Sequence, residues 1–214
     1  LQMMTPSFPP SGQSELATFF LEALLPTQLM GVILKVIEKH WTDVKFQTSS
    51  CGIEMFRALM RDQPLARVHM RNIGLIPFVM KLIRRDMTVP TYHDTLLNLS
   101  RSDAVHNALR TEMAIDLAKE VLASEVVQAD KKYKQIQMMV LITVANTYSG
   151  ASEEEDDTGA AMELLVQHDM TGNLTRLFEV ACKEGTADDG LGWVWQLEVL
   201  AQAVSSFSRN KENA

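Results

Sequence analysis

The chain has 214 residues, 46% of them apolar and 22% charged, which excludes a disordered polymer and leaves room for one extended unit or two small ones. Twenty basic side chains against twenty-seven acidic ones give a formal charge of −7, so a surface built to neutralise a run of phosphates, and with it a nucleic-acid partner, is excluded. Two cysteines, Cys51 and Cys182, form no C-x-x-C pair, and the longest near-apolar run, Met138 to Ala145, is far below the roughly 20 residues of a membrane span.

The opening stretch, with Pro6, Pro9, Pro10 and Gly12, carries no signal-peptide core, and residues 1–14 are expected to be a disordered linker ahead of a helical domain over 15–214. From Ser14 onward the apolar spacing is helical, as in Leu16, Phe19, Phe20, Ala23 and Leu24, then Leu29, Val32, Ile33, Val36 and Ile37. Pro26, Pro64, Pro77 and Pro90 fall at segment boundaries, and caps are predicted at Ser14, Thr27, Asp62 or Pro64, and Ser102 or Asp103. No Asn-Gly or Asp-Gly turn joins two β-branched runs, so the chain reads as all-α with negligible strand.

Further along, the stretch from Gly150 to Gly159, with its run Glu153–Asp157, and the stretch from Glu184 to Gly192, with Gly185, Gly190 and Gly192, are predicted surface loops. Trp193 and Trp195, two residues apart, are placed on different sides of a helix, one in the core and one partly exposed. Most of the thirteen methionines sit at helical spacing among Leu and Val and are assigned to the core.

A similar phrase ends four of the predicted helices: Phe56–Asp62, Leu96–Ser102, Val144–Gly150 and Val204–Asn210. Taking Ala58, Asn98, Asn146 and Ser206 as equivalents gives spacings of 40, 48 and 60 residues, the first within the period of armadillo and HEAT repeats. The two glycine-rich or acidic stretches are the predicted homes of the extra residues.

Residues Asn72-Ile73-Gly74-Leu75-Ile76-Pro77 through Ile83, followed by Leu96-Leu97-Asn98-Leu99-Ser100, resemble the armadillo repeat: a short helix, a Gly, an Ile-Pro start, a second helix, and a third ending in Asn-Leu. Gly74 supplies the tight turn and Pro77 sits in a first helical turn, where its missing N–H is harmless. The resemblance implies an armadillo-like α-solenoid, a right-handed stack of repeats over about 25–64, 65–103, 104–156 and 157–210. The last residues, Asn210–Ala214, resemble a link opening a further repeat, so an uncapped end able to contact another array is expected.

Motifs for chemistry are absent. His40, His69, His93, His106 and His168 form no metal-spaced cluster, and no phosphate loop, G-x-G-x-x-G or G-x-S-x-G occurs. No catalytic residue, cofactor or metal is assigned. Ser152 before the acidic run resembles an acidophilic kinase site, and Lys211-Glu212-Asn213 spells a short degradation motif of little weight.

In armadillo proteins the third helices line a concave groove, and an Asn near the end of each holds the backbone of an extended peptide, since an amide donates and accepts together. The resemblance carries this role to Asn98 and Asn146, with helix-end capping as the alternative. It places Glu54, Asp94, Ile142 and Gln202 one turn earlier on the same face, with Ala58 and Ser206 interrupting the Asn row. The Trp residues with which nuclear-import adaptors clasp Lys stems are missing from those earlier positions. The expected function is a non-catalytic scaffold or adaptor for a protein or extended peptide, a basic one being favoured by the net charge; a regulatory module of a larger enzyme or motor is the alternative. A cytoplasmic location is expected, with the nucleus also open.

Overall fold

The computed structural model describes residues 23, 27–40, 46–61, 63–112, 114–149, 151, 157–189 and 193–209. The linker expected over 1–14, residues 152–156 of the acidic stretch, residues 190–192 and the tail 210–214 lie outside them.

Helices dominate. In chain order they are α1 (Leu29–His40), α2 (Phe46–Arg61), α3 (Pro64–Asn72), α4 (Leu75–Arg85), α5 (Pro90–Ser100), α6 (Asp103–Thr111), α7 (Ala114–Ala123), α8 (Glu125–Ala129), α9 (Lys134–Thr147), α10 (Thr158–Gln167), α11 (Met170–Glu184) and α12 (Leu197–Ser208). A 3-10 turn, Lys131–Tyr133, precedes α9, and two three-residue strands, β1 (Thr186–Asp188) and β2 (Val194–Gln196), lie between α11 and α12.

The boundaries have local causes. Pro64 and Pro90 open α3 and α5 at the position where an N–H has no helical partner. Gly74 joins α3 to α4 with φ of 90°, a left-handed conformation that a side chain resists, and Gly185 ends α11 in the same way at φ of 80°. Thr27 Oγ1 accepts the Leu29 N–H at 3.4 Å at the start of α1, and Asp130 does the same for Lys132 N–H at 3.0 Å ahead of α9.

Packing is regular. α5 lies between α2 and α9, and α12 lies against the other side of α9; α3 packs on α6, and α7 on α9 and α10. Tyr92 to Ser100 of α5 and Met138 to Thr147 of α9 are buried on every face, as is required of helices enclosed by neighbours. α3 begins 39 residues before α6, α4 begins 39 before α7, and α2 ends 39 before α5. The structural period is therefore one residue shorter than the spacing from Ala58 to Asn98.

Two sequence expectations are corrected. The stretch from Glu184 is not simply a loop: Thr186 to Asp188 pair antiparallel with Val194 to Gln196, Ala187 opposite Trp195. Trp195 therefore stands in a strand, not a helix; these two three-residue strands are the only ones among the described residues, and the chain is otherwise helical, as the all-α reading expects. Its burial is as expected: Trp195 is 2% exposed, while Trp193 is half-buried and meets it edge-on with ring centroids 6.3 Å apart. Second, the residues that lengthen the spacing to Asn146 lie between α7 and α9, in α8 and the 3-10 turn, and not in the acidic stretch, whose end already belongs to α10.

Candidate binding groove

The C-terminal ends of α2 and α5 are tied together by arginines. Arg67 of α3 is 5% exposed and sends Nε to the Met60 carbonyl at 2.9 Å, Nη2 to Arg61 O at 2.8 Å and Nη1 to Arg101 O at 3.2 Å. Arg101 adds a bond from Nη1 to Arg61 O at 2.9 Å. Helix-end carbonyls without intrahelical partners are thus satisfied by a planar, permanently charged fork that also complements the negative end of each helix dipole. The same position one period later is His106, whose Nε2 lies 2.8 Å from the Ser100 carbonyl.

Beside this clamp, α12 reaches across the end of α9. Gln202 Oε1 accepts from Arg101 Nε at 3.1 Å while its Nε2 donates to Arg101 O at 2.9 Å. A cavity of about 580 Å3 is left between the two walls. Arg61, Asp94, Leu97, Asn98 and Arg101 form one side, and Gly185 with the segment Trp193 to Val199 forms the other.

The structure separates the residues singled out by sequence. Asp94 and Asn98 line the cavity, one helical turn apart on α5. Asn98 is 6% exposed and donates Nδ2–H to its own helix at Asp94 O, 2.8 Å away, so it caps no helix end. Asp94 Oδ2 accepts from Arg57 Nη1 at 2.8 Å, and Arg57 also donates Nε to Glu54 Oε2 at 2.8 Å, which joins Glu54 and Asp94 through one guanidinium. Burial pushes the Asp94 carboxyl above its ordinary range, and Arg57 offsets only part of that. Glu54 Oε1 further accepts the Thr91 hydroxyl at 2.8 Å.

Asn146 is placed elsewhere. Counted from the helix ends, it matches Leu99 and not Asn98; it is 1% exposed and donates to Ser100 Oγ at 3.1 Å, between α9 and α5. Ile142 is fully buried in the core, and Ser206 is 6% exposed on α12. Gln202 is committed to Arg101. Of the seven residues named from sequence, Asp94 and Asn98 therefore reach the cavity directly, while Glu54 and Gln202 brace its walls.

The wall that sequence missed is the hairpin with the start of α12. Its signal was present in Trp193-Val194-Trp195, an alternation of large residues with period two, but three residues are too few to outweigh the surrounding helical pattern. Arg61 and Arg101 were also missed as lining groups. Among the described residues no helix is long and apolar enough to cross a membrane, and no group of three His, Cys, Asp or Glu stands close enough to hold a metal ion. Comparison with family models, with curated proteins and with solved structures found no match.

Proposed function

We propose that the chain is a non-catalytic, armadillo-like helical-repeat module that takes an extended segment of a partner protein into the groove beside α5. The observation that carries this is the 580 Å3 cavity between Asp94, Asn98 and Arg101 on one side and Trp193 to Val199 on the other, apolar and aromatic surface interleaved with polar groups able to address a peptide backbone. Supporting it are the 39-residue recurrence from α2–α4 to α5–α7 and the packing of α2 on α5, α5 on α9 and α9 on α12, which we read as the third helices of four stacked repeats. The lining holds Arg61 and Arg101 against Asp94 and Glu198, so neither sign prevails and selection of a basic partner on charge alone is not favoured at this site. Within this function Asn98 contacts the peptide, Asp94 and Glu54 fix the α2–α5 wall through Arg57, and Gln202 holds α12 in place; Asn146, Ile142 and Ser206 are buried and do not touch the peptide.

A phage-displayed library of random 12-residue peptides selected on the full chain tests this. Peptides of micromolar affinity are expected, and N98A combined with W193A should weaken them at least tenfold, as expected from losing a backbone contact and an aromatic one. V166S, a change at a position 69% exposed away from the cavity, should leave affinity unaltered. Recovery of no binder, or of binders indifferent to N98A/W193A, overturns the function.

A further inference from the structure

Trp195 forms a partition. One side of it lines the groove cavity, and it also lines a second cavity of about 330 Å3 between the start of α9 and the α10–α11 corner. Its indole Nε1 is buried and has no hydrogen-bond partner among the described residues.

The second cavity is lined by cations. Lys131, Lys134 and Arg176 are exposed around it, with His168 beside them, and none of the ion pairs among the described residues involves these three cations. Lys132, the remaining base of that turn, is taken by Asp130 at 3.0 Å. One acid is present: Asp189, whose Oδ1 accepts the Trp193 N–H at 3.2 Å. Three cations against one carboxylate on a chain of net charge −7 is a local reversal of sign.

We propose that this cavity is a binding site for a phosphoryl group, held by Lys131, Lys134 and Arg176 beside the Trp195 ring. A phosphate monoester brings close to two negative charges and three acceptor oxygens, matching three cationic heads; a single carboxylate offers two oxygens and half the charge. Asp157 precedes α10 and His168 follows it, so ten helical residues, about 15 Å, hold Asp157 away from the cavity. This site is separate from the groove and does not depend on it.

The sequence contains three tryptophans, so an amide-type correlation spectrum of 15N-labelled full-length chain has three indole N–H signals, with that of Trp195 assigned by its loss in W195F. Titration with inorganic phosphate at constant ionic strength, balanced with chloride, should move the signal of Trp195, which lines the cavity, and saturate in the millimolar range. K134Q/R176Q, both at exposed positions, should weaken the response at least tenfold with an unchanged melting temperature. A phosphoserine peptide that competes more tightly than its unphosphorylated form and than free phosphate identifies the source as protein-borne; equal or better binding of free phosphate or a sugar phosphate identifies a small metabolite. A Trp195 signal that does not move, or that moves equally in K134Q/R176Q, overturns the proposal.

Discussion

His93 is 2% exposed within α5, with Nε2 2.9 Å from the Met87 carbonyl. Burial lowers its pKa from 6.5 to about 4, against the opposing influence of that hydrogen bond and of Asp86. The sign follows from which state binds the proton: between pH 6.5 and 4 the unfolded chain takes it up and the native chain does not. Stability is therefore full above pH 6.5 and falls as pH drops toward 4, by about 3 kcal/mol for this group at the limit. His106, lowered by burial beside the Ser100 carbonyl, acts in the same direction. Urea midpoints measured from pH 7.5 to 4.5 should decline, and H93Q should decline less steeply than wild type. Parallel slopes would show that His93 is not the titrating group. The two asparagines also part company at this scale. N146A, removing a buried bond to Ser100 Oγ, should lower stability by about 1–2 kcal/mol in thermal or urea melts, and N98A by less.

Among the elements, the turn at Gly74 tests the local logic most directly. Its φ of 90° lies in the left-handed region, and a Cβ built there meets no atom within 4 Å, so G74A introduces backbone strain and no clash. A loss of about 1 kcal/mol in chemical denaturation is expected; no loss would mean the turn relaxes to another conformation. This turn was legible from sequence because Gly74 and Pro77 constrain the backbone locally, as Pro64 and Pro90 do at their helix starts. The hairpin at Thr186–Gln196 was not, because its strands exist through pairing with each other and through Trp195 packing on α11 and α12, contacts that single-segment periodicity does not encode. The misplacement of Asn146 has a different origin. Matching phrases at helix ends tolerates a shift of one residue, and one residue turns a side chain by about 100° around a helix, enough to carry Asn146 from the groove face into the contact with Ser100. Asn98, by contrast, lines the cavity.

Across the whole molecule, what separates a stacked array from a closed bundle is how opening spreads. In a stack each layer is held mainly by its neighbours, so amide exchange should begin at the ends and reach α5 and α9 last. α1 is expected to exchange early, since Leu29, Val32 and Val36 are 45%, 52% and 54% exposed along one of its faces. α12 is held firmly, because Gln202 bonds to both the side chain and the carbonyl of Arg101, the residue that follows α5. Q202A should remove two hydrogen bonds at about 1 kcal/mol each and speed exchange in α12 roughly tenfold or more, leaving α1 unchanged. Hydrogen–deuterium exchange read by mass spectrometry resolves these helices separately. Equal protection in α1, α5, α9 and α12, rising and falling together in Q202A, would describe a single cooperative bundle and remove the array on which the groove proposal rests.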